Sequence, residues 1–135
     1  MKRLAAVTLL MLAAIAAHAA TPPDSTSPAA AKVMKLTFLG TGAPRPSPDR
    51  HGPSILVEAG NRKILIDAGP GARQRLFEAG GFPLLTGVTD IFITHLHYDH
   101  IANVSDLWIT GWMYGRREPL RVHGPPGTGE FVAGL

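Results

Sequence analysis

The chain has 135 residues, of which 13 are Lys or Arg, 10 are Asp or Glu, six are His and none is Cys. This length has room for one domain, and the lack of cysteine excludes a disulfide framework and thiolate metal ligands within the chain. Lys2 and Arg3 precede a long apolar run, and without them 11 basic residues face 10 acidic ones. A net charge of about +1 then gives no electrostatic argument for nucleic-acid binding.

Residues 1–19 are typical of an export signal. Two basic residues precede an apolar run over residues 4–17, and an Ala-His-Ala cleavage site ends at Ala19. The run is shorter than the roughly 20 apolar residues that cross a bilayer. We therefore expect an exported protein, periplasmic or secreted, without stable membrane insertion after cleavage. Residues 20–32 are rich in Pro, Ser and Thr and are expected to form a disordered linker.

The next predicted elements are β-strands. Residues 33–39 form the first strand, and a long proline-rich loop follows it. Residues 54–59 and 63–67 are predicted as a hairpin, because Gly60-Asn61 between them suits a tight turn with positive φ. Both strands are almost continuously apolar. This pattern indicates burial on two faces, as in a sheet covered by helices.

Helices and strands alternate in the rest of the chain. Residues 71–79 predict a short helix, ended by the glycine pair that follows it. Residues 90–94 predict a strand, 101–114 a helix and 120–123 a further short strand, with an incomplete helix from Gly129 onward. The helical residues expected to face the core are Leu76, Phe77, Ala79, Val104, Leu107, Trp108 and Trp112.

The most distinctive motif is His-x-His-x-Asp-His over residues 95–100, directly after a predicted strand. Alternate side chains of an extended segment share one face, so His95 and His97 can bind the same ion. Beyond them the chain must turn, which lets Asp99 and His100 approach a second ion. Imidazole and carboxylate ligands suit zinc, with iron and manganese as alternatives. The structural alternative is a histidine-rich surface loop or a structural cluster of histidines whose hydrogen bonds are satisfied within the protein.

Four motifs carry a family resemblance, and the motif over residues 95–100 is one of them. The other three are Phe38-Leu39-Gly40-Thr41-Gly42 with Pro44, Ile66-Asp67-Ala68-Gly69, and His123-Gly124-Pro125-Pro126-Gly127-Thr128. Together they resemble the amino-terminal half of metallo-β-lactamase-fold hydrolases, on the ribonuclease Z and arylsulfatase-like branch. The resemblance implies an α/β (α+β) fold, the αββα sandwich, of which residues 33–135 would be the amino-terminal part. We therefore expect a partial sequence.

The resemblance also implies roles for individual residues. His95 and His97 would hold the first of two zinc ions, and His100 the second. Asp99 would bind the second ion and accept the proton of the attacking water, which makes it the expected catalytic residue. Asp67 would lie beneath the loop and orient a ligand, unless it is only a turn-forming aspartate. The family's remaining ligands, two later histidines and a bridging aspartate, find no counterpart after His123.

The expected function is an exported metal-dependent hydrolase that attacks a phosphodiester, an aryl sulfate or a related ester. Ribonuclease Z acts on precursor transfer RNA, from which export would separate this protein, and its motif commonly has a small residue where this chain has Tyr98. The expected partner is therefore a small-molecule ester, with RNA as the alternative and a homodimer as the family's frequent state. Two other functions stay open, a lactamase or lactonase of the same fold and a truncated, non-catalytic fragment. Arg45, Arg50 and His51 are expected to be solvated, and His123 to be structural.

Overall fold

The computed structural model describes residues 33–135, so the predicted export signal (1–19) and linker (20–32) lie outside the described residues. No helix in the described range is long and apolar enough to cross a membrane. Strands and helices follow one another in this order: β1 Met34–Gly40, β2 Ser54–Ala59, β3 Arg62–Ile66, α1 Ala72–Gly87, β4 Asp90–Phe92, α2 Tyr98–Ile101, α3 Val104–Met113, β5 Arg121–His123 and α4 Thr128–Ala133.

The five strands form one mixed sheet in the order β1-β2-β3-β4-β5. β1, β2 and β3 are antiparallel neighbours, whereas β3, β4 and β5 are parallel. The predicted hairpin between β2 and β3 is confirmed, and Gly60 at its turn has a φ of 60°. Glycine adopts this left-handed conformation without the steric cost that a side chain adds.

The core lies on one face of this sheet. Leu56, Leu65 and Ile91 are paired across β2, β3 and β4 and are fully buried, together with Leu76 of α1 and Leu107 of α3. Helices cover this face because their apolar sides need the same burial as the strand side chains. One sheet with one helical layer is half of the expected αββα sandwich.

The opposite face of the sheet is open within residues 33–135. Phe38 and Phe92 stand in the neighbouring row of the strand register and are 63% and 44% exposed. The prediction that the strands are buried on both faces is therefore wrong for the described residues. Continuous apolar sequence marks a strand whose two faces are suited to burial, but it does not say which layers are present to cover them.

α1 is longer than predicted. The glycine pair kinks the helix rather than ending it, since Gly80 and Gly81 have non-helical backbone angles and helical structure resumes through Pro83. Leu76 is buried as predicted, whereas Phe77 and Ala79 are exposed. The inward positions after the kink belong to Leu84 and Leu85 instead.

The predicted helix over residues 101–114 starts later than expected: Ile101 ends α2, residues 102–103 form a turn, and α3 covers Val104–Met113. Val104 and Leu107 are buried, but Trp108 and Trp112 are 52% and 74% exposed, so the prediction that both indoles face the core is wrong. The inward stripe continues through Gly111 instead, where a Cβ atom would lie 2.1 Å from the Arg116 guanidinium. A side chain at residue 111 would displace the Arg116 guanidinium, which donates a hydrogen bond to the Leu107 carbonyl at 3.1 Å.

Asp90 connects the two parallel strands β4 and β5. Its carboxylate accepts hydrogen bonds from Arg121 Nε at 2.8 Å and Nη2 at 2.7 Å, and His123 Nε2 lies 3.0 Å from Oδ1. The His123 ring also stacks on Phe92 with centroids 4.4 Å apart, in agreement with the structural role expected for it. These hydrogen bonds, with that of Arg121 the strongest, hold the pKa of Asp90 far below its usual value.

We expect Asp90→Asn to lower the free energy of unfolding of the full-length protein by about 1 kcal/mol at pH 7. The effect is modest because Arg121 is 42% exposed and water screens its charge. The lowered pKa means that the carboxylate stabilises the fold fully above its unfolded pKa of about 3.9, and less as the pH falls below that value. Urea unfolding between pH 3 and pH 7 should show the difference shrinking at the acidic end. A pH-independent difference would contradict this origin.

Candidate metal centre

The three histidines of the motif lie together just beyond the carboxyl end of β4. Residues 93–97 belong to neither strand nor helix; His97 has the extended backbone angles φ −71° and ψ 146°, and α2 starts at the next residue. His95 Nε2 is 3.1 Å from His97 Nδ1, and the His95 and His100 ring centroids are 4.0 Å apart. The connection between β4 and α2 therefore places the first two histidines side by side, and the helical turn brings the third back to His95.

Asp99 is the buried acid of this cluster. The residue is only 3% exposed, and its Oδ2 lies 3.5 Å from His100 Nε2. Its Oδ1 is buried without a hydrogen-bond partner in the described part of the chain. A buried carboxylate oxygen without a partner is costly. Its position therefore favours a bound cation at the motif.

Asp67 supports the motif from the end of β3. The residue is 5% exposed, and its Oδ2 is 2.8 Å from His100 Nδ1. Its Oδ1 accepts a hydrogen bond of 2.8 Å from the Thr94 main-chain N–H. A proton on His100 Nδ1, donated to this carboxylate, would leave the Nε2 lone pair for a metal. The contact expected between Asp67 and the loop is present, and its role in orienting a metal ligand remains a prediction.

The main chain of residues 99–100 packs closely against the segment that follows Asp67. Ala68 N–H donates to the His100 carbonyl at 2.7 Å. A Cβ atom at Gly69 would lie 2.3 Å from the Asp99 carbonyl oxygen, and one at Gly52 would lie 2.4 Å from Pro70 Cδ and 2.8 Å from Pro70 N. Both glycines are needed because the main chain approaches too closely for any side chain.

Thr94 is the residue of this site that the sequence analysis missed. Its hydroxyl donates to the Asp67 carboxylate at 2.9 Å and lies 3.1 Å from His95 Nδ1. It also lies 3.4 Å from His100 Nδ1, so a single hydroxyl touches the acid and two of the imidazoles. The one sequence feature that could have indicated its role is its position directly before the first histidine of the motif. His51, expected to be solvated, is partly buried and lies beside Gly71.

The residues present fit a divalent metal in chemistry. The His95 imidazole contacts those of His97 and His100, and a buried oxygen of Asp99 has no partner in the described part of the chain. Imidazole nitrogens and carboxylate oxygens are ligands that zinc takes in proteins. In residues 33–135, however, no three His, Asp or Glu side chains converge on one ion position. The structure thus gathers His95, His97, Asp99 and His100, and their role as metal ligands remains a prediction.

A mixed sheet, a helical layer on one face and this histidine motif at a strand end define the metallo-β-lactamase fold. The short form of human tRNase Z superposes with a TM-score of 0.67 and 32% identity, over 75% of this chain and 38% of that one. A long-form ribonuclease Z from yeast gives a TM-score of 0.61 at 26% identity, over 75% of this chain and 16% of that one. The fold class and the ribonuclease Z resemblance are confirmed.

The family model described as Anti-Pycsar protein Apyc1 matches residues 34–124. The chain belongs to this family. Among curated proteins, ribonuclease Z of Mycobacterium marinum is 46% identical over 103 residues, and that of Mycobacterium bovis is 45% identical over the same length. These alignments cover 74% of this chain but only 36% of each relative, so the chain spans about a third of their length.

Proposed function

We propose that the full-length protein is a metal-dependent hydrolase of the ribonuclease Z type that attacks a phosphodiester, an aryl sulfate or a related ester. The observation that carries the proposal is the unpartnered, buried Oδ1 of Asp99 beside three contacting imidazoles. The similarity to ribonuclease Z proteins supports it, because that similarity includes the segment that carries the motif.

The residues that would hold metal are those of the motif. His95 and His97 would bind one ion, and Asp99 and His100 a second, with zinc as the expected element and iron or manganese as alternatives. When bound, such ions make water nucleophilic near neutral pH and stabilise negative charge on the attacked ester.

The chain's own residues would supply proton handling and rigidity. Asp99 would accept a proton from the attacking water, a task for which a carboxylate shielded from bulk solvent is suited. Asp67 would hold His100 by its Nδ1 atom, and Thr94 would connect that carboxylate to the strand end. This arrangement limits movement of the motif before substrate arrives.

The proposal includes export. The apolar leader over residues 1–19 supports secretion or a periplasmic location, with residues 20–32 as the linker to the hydrolase domain. An exported enzyme does not meet precursor transfer RNA, so we favour a small-molecule ester as substrate and keep RNA as the alternative. A homodimer is part of the same proposal.

One set of measurements on the purified, mature full-length protein tests these proposals. We expect about two transition-metal ions per chain, a mass consistent with cleavage after Ala19, and hydrolysis of bis-p-nitrophenyl phosphate or p-nitrophenyl sulfate. Faster turnover of a chromogenic cephalosporin or an acyl-lactone would favour the lactamase or lactonase alternative. A protein that retains no zinc, iron or manganese after being offered them would overturn the proposal, and an uncleaved leader would contradict export.

A further inference from the structure

Tyr98 lies inside the motif but takes no part in the cluster of imidazoles. It is the first residue of α2, stands between His97 and Asp99, and is 57% exposed. Its hydroxyl donates a hydrogen bond to the Pro44 carbonyl, which is 54 residues earlier in the chain. An exposed phenol can hydrogen-bond with water, but this one bonds to a distant part of the chain instead. The bond connects the start of α2 to the loop that follows β1.

The contact holds the loop between β1 and β2, residues 41–53, against the motif. At the ends of this loop, Gly42 N–H donates to the His51 carbonyl at 2.7 Å and Gly52 N–H to the Pro70 carbonyl at 2.9 Å. Residues 43–50 between them are exposed. Among the hydrogen bonds of the described residues, that of Tyr98 alone joins positions 43–48 to the rest of the fold.

The composition of the loop suits an anionic ligand. Arg45 directly follows the tethered residue, Arg50 lies further along, and Asp49 is the single acid among residues 41–53. Prolines at positions 44, 46 and 48 restrict φ, so that a fixed Pro44 limits where Arg45 can go. Guanidinium groups bind phosphate and sulfate oxygens through paired donors.

We propose that Tyr98 is a positioning residue for substrate binding, whose hydroxyl holds the cationic loop 41–53 at the edge of the histidine motif. In this position Arg45 and Arg50 of the loop would bind the negative charge of the ester substrate. Tyr98 itself does not touch the reacting atoms in this role. The inference rests on the proposed function, because it predicts that the substrate of the proposed hydrolase is negatively charged.

The test is Tyr98→Phe in the full-length protein, which keeps the ring and removes only the hydroxyl. One hydrogen bond of this kind corresponds to an equilibrium change of about two- to tenfold. In the metal-free protein we expect trypsin to cut the Arg50–His51 bond faster by that factor, measured by mass spectrometry. In the metal-loaded protein we expect the KM for bis-p-nitrophenyl phosphate to rise similarly, with kcat changed by less than about twofold, because the loop binds substrate without taking part in chemistry.

Tyr114→Phe is the matched control. Tyr114 is 53% exposed, and within residues 33–135 its ring packs on Phe82 while its hydroxyl forms no hydrogen bond. It should leave both the cleavage rate and the KM unchanged. Wild-type cleavage and KM in Tyr98→Phe, or a fall in kcat at constant KM, would overturn the proposal. A wild-type protein without any hydrolysis would instead overturn the proposed function, and the trypsin result would still decide whether the tether exists.

Discussion

Asp99→Asn is expected to lower kcat/KM for an ester substrate by about 10²- to 10⁴-fold, the usual contribution of a general base. The amide cannot accept a proton from water and is a weaker ligand for a divalent cation. Because Asn has almost the same size, the change should leave the packing of this 3% exposed residue in place. The full-length variant should also retain fewer metal ions than the wild-type protein.

The measurement combines steady-state kinetics on bis-p-nitrophenyl phosphate with elemental analysis of the same samples. Glu130→Gln is a suitable control, since it also replaces an acid by its amide but at an exposed position of α4. It should leave rate and metal content unchanged. Full activity in Asp99→Asn would remove the residue from its proposed role. Normal metal content with low activity would show that Asp99 acts as the general base but is not needed to bind metal.

Asp67→Asn should weaken metal binding by about 10- to 100-fold, the usual result of changing a group that orients a ligand. The side-chain amide of this variant can take two orientations. In one, its NH₂ group faces His100 Nδ1 where the wild-type protein has a carboxylate oxygen; in the other, its NH₂ group faces the Thr94 N–H, and that hydrogen bond is lost. Asparagine is the right replacement because residue 67 has a φ of 58°, which Asn tolerates and alanine does not. Chelator competition on the full-length protein measures the affinity.

Ser54→Ala provides the comparison for this variant. Ser54 Oγ donates to the Asp67 main-chain carbonyl at 3.0 Å, so its loss disturbs the same segment but leaves the carboxylate contacts intact. We expect a loss of about 1 kcal/mol in the free energy of unfolding and an unchanged metal affinity. Equal metal affinity in Asp67→Asn and the wild-type protein would show that the His100 contact is only structural.

Local patterns predicted the strands and the hairpin well, because their signals are short and self-contained. The positive φ of Gly60 at the turn and the antiparallel pairing of β2 with β3 both follow from neighbouring residues. The helices were predicted less accurately. Trp108 and Trp112 are apolar enough for a core, but both indoles are exposed in the folded chain. The buried positions of α3 are Val104, Leu107, Thr110 and Gly111.

The sequence by itself indicated the fold family, through the resemblance of its four motifs to known hydrolases. It also determined the cluster of imidazole and carboxylate side chains, because residues 95–100 are adjacent and their spacing restricts where they can point. Only the tertiary structure decided what supports them. The Asp67 carboxylate meets His100 33 residues later, and the Tyr98 hydroxyl meets the Pro44 carbonyl across 54 residues. Such contacts depend on which strands become neighbours in the sheet, and this neighbourhood arises from burial of the whole core rather than from any local pattern.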